Sequence, residues 1–155
     1  MMEMMNNNIQ AYAKIKGSND YPNIYGTVTF SQVSGGIIVT AKVYNLPFAE
    51  CEKEIYGFHI HEGMSCTGND TDPFADAKMH YNSGKCVSHP YHTGDMPPLF
   101  GNNGFAYMSF FTNRFSISEI IGKAIIIHSG IDDFSSQPSG NSEQKIACGI
   151  IQVYN

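Results

Sequence analysis

The chain has 155 residues, 42% of them hydrophobic and only 15% charged, which fits one folded domain with its own core and excludes a disordered chain. Its net charge of -5 and its lack of Lys/Arg clusters argue against nucleic acid or an anionic membrane as partner. Apolar runs such as Ala124 to Ile127 are far too short to span a bilayer. Met1 to Asn8 lacks the positive and apolar regions of a secretory signal, so a flexible tail over residues 1–8 is expected ahead of a single domain over residues 9–155. An intracellular product is expected over a secreted mature form. Ile9 to Lys16 then alternates as a half-buried strand, with Ile9, Ala11, Ala13 and Ile15 on one face. Tyr25 to Gln32 alternates through Val28 and Phe30, Ser34-Gly35-Gly36 signals a hairpin turn, and Gly36 to Leu46 returns as a β-rich run. A strand from Ile55 to His61 follows.

From Glu62 to about Phe100 regular patterning stops, and Gly, Asp, Asn, Ser, Pro and His dominate. A structureless stretch of that length is uncommon in a compact domain and is usually functional. Gly104 to Phe111 is again a strand, with its aromatics Phe105, Tyr107 and Phe111 expected in the core. A helical turn is expected over Ser118 to Ile121 with Ser118 as N-cap, then a buried strand over Ala124 to His128. A second loop, Ser129 to Glu143, precedes the last strand, Lys145 to Val153. Short strands, glycine turns and almost no helix predict an all-β Greek-key sandwich or barrel with the two long loops together at one side.

The chemistry lies in the histidines. His59 and His61, one residue apart on a strand, face the same side and make half of a metal site. His80, His89, His92 and His128 lie downstream, and His92 is followed closely by Asp95. Three imidazoles and a carboxylate suit a tetrahedral zinc site, and four nitrogens in a near-planar set suit copper(II). If one imidazole loses both ring protons and serves both ions, six histidines and Asp95 fill two sites. The four cysteines, Cys51, Cys66, Cys86 and Cys148, contain no C-x-x-C pair and read as disulfide partners or buried thiols.

These motifs resemble the copper/zinc superoxide dismutases, in a bacterial-type form. Gly57-Phe58-His59-Ile60-His61-Glu62 is similar to the family's first copper segment, His80-Tyr81-Asn82 to its bridging segment and His92-Thr93-Gly94-Asp95 to its zinc segment. Ile126-Ile127-His128, Gly140-Asn141 and Ala147-Cys148-Gly149-Ile150 complete a resemblance that runs from about Ile9 to Val153. It implies an immunoglobulin-like Greek-key fold, copper on His59, His61, His80 and His128, and zinc on His80, His89, His92 and Asp95. It further implies Asp132 as the link between a copper histidine and a zinc histidine, and a Cys66–Cys148 disulfide. The substrate would be superoxide, with His80 as bridge and proton relay; the assembly is left open, a homodimer among the alternatives.

Two departures stand out. Lys145 occupies the position of the family's anion-guiding arginine, keeping the charge without the planar fork. His89 and His92 are only three residues apart, closer than the family commonly spaces them. Copper-only members tend to lack the second loop, which this chain keeps. A second disulfide between Cys51 and Cys86 is expected because both are left over. The alternative function is a non-catalytic copper or zinc holder, or a docking domain; such a relative would be expected to have lost a copper ligand, and this chain has lost none.

Overall fold

The computed structural model describes residues 8–155; the expected tail lies, apart from Asn8, outside the described residues. Ten strands follow in order: β1 (Ile9–Gly17), β2 (Tyr25–Val33), β3 (Gly36–Tyr44), β4 (Ile55–Tyr56), β5 (Phe58–His61), β6 (Leu99–Asn102), β7 (Phe105–Thr112), β8 (Ala124–His128), β9 (Lys145–Ile150) and β10 (Gln152–Val153). A 3-10 turn at Ala75–Ala77 and the short helix α1 (Ile117–Ile120) are the helical elements among the described residues. The strands pair antiparallel in the order β4-β6-β7-β3-β2-β1-β9-β8-β5, with β10 beside β1. Because β4 and β5 stand at the two ends of that order and are joined through Gly57, the sheet curls into a nearly closed Greek-key barrel, which leaves little open edge.

Alternation places Ala11, Ala13 and Ile15 of β1, Val28 and Phe30 of β2, and Ile37, Val39, Ala41 and Val43 of β3 inside. Strands β5 and β8 are buried on both faces, since the barrel lies on one side and the long loops on the other. Every residue of each is therefore covered. The β2–β3 hairpin pairs from Tyr25↔Tyr44 to Val33↔Gly36 around Ser34 and Gly35.

Four expectations change. The run from Ile55 to His61 breaks at Gly57, whose N–H turns away to the Gly130 carbonyl at 2.9 Å. The last strand breaks at Ile151, whose N–H bonds to the Lys123 carbonyl at 3.0 Å. The cap of α1 is Ser116, not Ser118: its backbone N–H donates to Glu119 Oε2 at 3.0 Å, the reciprocal half of a capping box. Phe105, Tyr107 and Phe111 are 37%, 57% and 52% exposed and are not core; Ala106 fills the inward position of β7, with Met108 and Phe110 packed beside it. Period two left both faces of this strand apolar, so composition did not say which one faced in. The outward rings instead pack among themselves, Phe105 lying 4.9 Å from the Tyr44 ring and Tyr44 4.9 Å from Tyr25.

Candidate metal centre

Strands β5 and β8 pair directly, with His59 opposite Ile126 and His61 opposite Ala124. Alternation turns Phe58, Ile60, Ile125 and Ile127 into the barrel core and His59, His61 and His128 outward, under the loops. The first loop runs back along the free edge of β5: Tyr81 N–H donates to the Ile60 carbonyl at 2.8 Å and Ile60 N–H to the Gly94 carbonyl at 2.9 Å. His61 thereby faces His80 across one isolated bridge, and His59 faces Asp95 across another. Glycine at 94 is required by this approach, because a Cβ there would collide with the Ile60 carbonyl.

Five imidazoles surround that of His80. Its ring centroid lies 4.0 Å from that of His59, 4.8 Å from His61, 5.3 Å from His89, 5.7 Å from His92 and 6.3 Å from His128. All six histidines, Asp95 and Asp132 are buried. Each ring has one nitrogen fixed by an oxygen. His61 Nδ1 donates to the Lys78 carbonyl at 2.8 Å, His128 Nδ1 to the Glu143 carbonyl at 3.2 Å and His92 Nε2 to the Val87 carbonyl at 3.0 Å. His59 Nε2 and His89 Nε2 both donate to Asp132, at 2.7 and 2.6 Å. His80 Nδ1 lies 2.8 Å from Asp95 Oδ1. Carbonyls and an ionised carboxylate accept only, so these bonds set the tautomers of the other five rings and leave their opposite nitrogens as bare lone pairs.

Those opposite nitrogens, His59 Nδ1, His61 Nε2, His89 Nδ1, His92 Nδ1 and His128 Nε2, are buried without a hydrogen-bond partner, as is His80 Nε2. Six unpaired buried nitrogens in one place are costly unless something binds them. Neutral imidazole nitrogen is the donor that copper(II) and zinc prefer, so this donor set fits both ions. Burial is the main cause that holds His59 and His61 well below the usual imidazole value and brings His128 down to about 4, which keeps these rings neutral and ready to ligate. Burial pushes the Asp95 carboxyl up, but the neighbouring His80 and His89 outweigh it and hold it ionised.

Two ligand groups close within 4.8 Å: His59, His61, His80 and His128, and His59, His80, His89 and Asp95. His92 stands just outside the second, with its bare Nδ1 3.1 Å from Asp95 Oδ2, while His89 Nδ1 lies 3.0 Å from the same oxygen. The short spacing between His89 and His92 is absorbed by a tight turn in which Tyr91 N–H reaches the Ser88 carbonyl at 2.8 Å, so both rings still meet Asp95. Asp132 joins the second loop to the first by accepting from His59, from His89 and from the Phe134 N–H at 2.8 Å. Gly140, at φ 74°, passes so close that any Cβ would strike Asp132 and His89 Nε2.

The disulfide Cys66–Cys148 ties the first loop to β9. Cys51 and Cys86 are free and exposed, which overturns the expected second disulfide: each sits on a separate surface loop, and being left over is no geometric constraint. Lys145, at the start of β9 and in register with His128, donates from Nζ to Asp72 Oδ2 at 2.8 Å and to the Phe74 carbonyl at 3.3 Å. Asp72 was missed from the sequence, as were the carbonyls of Lys78, Val87 and Glu143. Every residue has a carbonyl, so no side-chain pattern marks those three.

A family model for copper/zinc superoxide dismutase (SODC) matches residues 24–151. The chain is 33% identical over 149 residues to a copper–zinc superoxide dismutase of Deinococcus radiodurans, covering 85% of this chain and 79% of that protein. It is 32% identical over 147 residues to one of Legionella pneumophila, covering 90% and 85%. Among solved structures it is similar to the Cu/Zn superoxide dismutase of Brucella abortus, with TM-score 0.76, 27% identity, and 91% and 99% of the two chains covered. A double mutant of a SOD-like protein from Bacillus subtilis gives TM-score 0.77 at 26% identity, covering 91% and 96%. With its fold, its two overlapping ligand groups and most of its length in agreement, this chain belongs to the copper/zinc superoxide dismutase family.

Proposed function

We propose that His59 Nδ1, His61 Nε2, His80 Nε2 and His128 Nε2 hold copper, and that His80 Nδ1, His89 Nδ1, His92 Nδ1 and Asp95 hold zinc. One observation carries this division: His80, shared by the two ligand groups, has a bare Nε2 and turns Nδ1 to Asp95, while each of the other five rings has one nitrogen anchored by an oxygen and the other bare. His92 takes the fourth zinc place in preference to His59, because a single Nδ1 serves one ion and the other nitrogen of His59 is committed to Asp132. The reaction turns two superoxide anions and two protons into dioxygen and hydrogen peroxide. Copper, when bound, supplies the one-electron change that the first anion makes and the second reverses.

The rest falls to the chain. Asp132 holds His59 and His89 in one orientation, so both ligand sets keep their geometry through the cycle. His80 Nε2, when not held by copper, can carry a proton while Nδ1 keeps its partner, which would supply one of the two protons the reaction consumes. Lys145 supplies local positive charge beside His128 in a protein whose net charge of -5 repels anions overall. The test is superoxide consumption by protein loaded with both metals, with bound copper and zinc counted. One copper and one zinc per chain with rapid consumption is expected; full copper without consumption would support a metal-holding protein instead.

A further inference from the structure

The cation that the anion would meet is not free. Lys145 Nζ is only part of an ion pair: its side chain is 16% exposed and lies against Asp72 Oδ2 at 2.8 Å. Asp72 is itself firmly placed. Its Oδ1 accepts the Phe74 N–H at 3.0 Å, and Asn69 Oδ1 closes the turn that precedes it by accepting from the Thr71 and Asp72 N–H groups, both at 3.0 Å. The loop carrying it is fastened to β9 by Cys66–Cys148, three residues beyond Lys145 on the same strand. Partial burial pushes the Asp72 carboxyl up, but the Lys145 ammonium and the Phe74 N–H outweigh it and keep the carboxylate ionised.

We propose that Asp72 is a positioning residue that draws the Lys145 ammonium toward the first loop and cancels much of its field, so that it restrains anion attraction at the copper site. This inference rests on the reading of Lys145 as the guiding cation. An arginine could meet a carboxylate with one part of its fork and still offer N–H groups to an anion; the compact ammonium of lysine concentrates its charge at the one point Asp72 already faces. The pair is partly open to water on the Asp72 side, so the cancellation is partial and depends on salt.

The experiment is azide titration of the copper- and zinc-loaded protein, followed by the copper(II) absorption and EPR spectra at low and high ionic strength. Wild type is compared with Asp72→Asn, Asp72→Ser, Asp72→Glu and Lys145→Gln. Removal of the unit charge that faces Lys145 predicts azide bound about threefold more tightly in Asp72→Asn and Asp72→Ser. The gain should shrink at high salt, and Asp72→Glu should behave as wild type. Azide affinity unchanged or weakened in both neutral variants, with Lys145→Gln weaker than wild type, overturns the restraint while leaving Lys145 as guide. Unchanged affinity in Lys145→Gln overturns the guiding role itself, and the proposal with it.

Discussion

Of the seven proposed metal ligands, His59, His61 and His128 stand on strands and His80, His89, His92 and Asp95 on a loop, and the two sets are held by different physics. His59, His61 and His128 sit on β5 and β8, whose alternate residues Phe58, Ile60, Ile125 and Ile127 are fully buried in the barrel core. Ladder bonds and apolar packing fix those three rings with no help from an ion. His80, His89 and His92 sit on a loop with little regular structure. It is kept in place by polar contacts: Asp132 to His89, the Val87 carbonyl to His92, Asn82 Oδ1 to the Thr93 N–H, and Gln137 to His89 in both directions. The strand half is therefore a preformed site, and the loop half is one that zinc completes. His80 and Asp132 are the two residues that reach both.

The largest effect is expected at the shared ring. His80→Ala removes a donor from both sites, so superoxide consumption should fall by more than the roughly 10–100-fold that loss of an outer hydrogen-bond partner costs, and both metals should bind more weakly. Retention of full activity would break the division into two sites. Next is Asp132→Asn. It cannot accept from two imidazole N–H groups as a carboxylate does, so zinc affinity should drop by about 10–100-fold. Copper affinity should drop less, because β5 still holds His59; equal losses in a competition titration would erase the distinction between strand and loop.

The disulfide sharpens the comparison through stability. Cys66→Ser opens a link across 82 residues of sequence, and about 4 kcal/mol of the metal-free protein's stability should be lost in chemical denaturation. The acid response of the strand half tests the same preformed geometry. Burial depresses His59, His61 and His128 in the folded chain below the ordinary 6.5, to about 4 for His128. The unfolded chain then binds more protons in that interval, so stability present above pH 6.5 is lost as pH falls toward 4. The melting temperature of metal-free protein should decline across this window; a flat profile would mean that these rings are not held neutral.

Much of this was legible in the sequence, for reasons tied to particular residues. Period-two alternation marked β1, β2 and β3, and the His-x-His pair at 59 and 61 marked the ligand strand. The loop ligands were legible only as a set, since no periodicity ties His80 to His92. The orientation of β7 was not legible, because Tyr107 and Phe111 are as apolar as a core residue and their packing with outward neighbours is a tertiary fact. Asp72 was hidden for a similar reason: its partner Lys145 lies 73 residues away, and only the fold brings them to 2.8 Å. The break at Gly57 follows from a contact with Gly130, which local sequence does not announce.

The central claim is that one imidazole serves two ions. Anomalous diffraction from metal-loaded crystals, collected at the copper and zinc edges, tests it directly. The account predicts one peak of each element, with copper against His80 Nε2 and zinc against His80 Nδ1. A single peak, or two peaks of which only one touches His80, would contradict it.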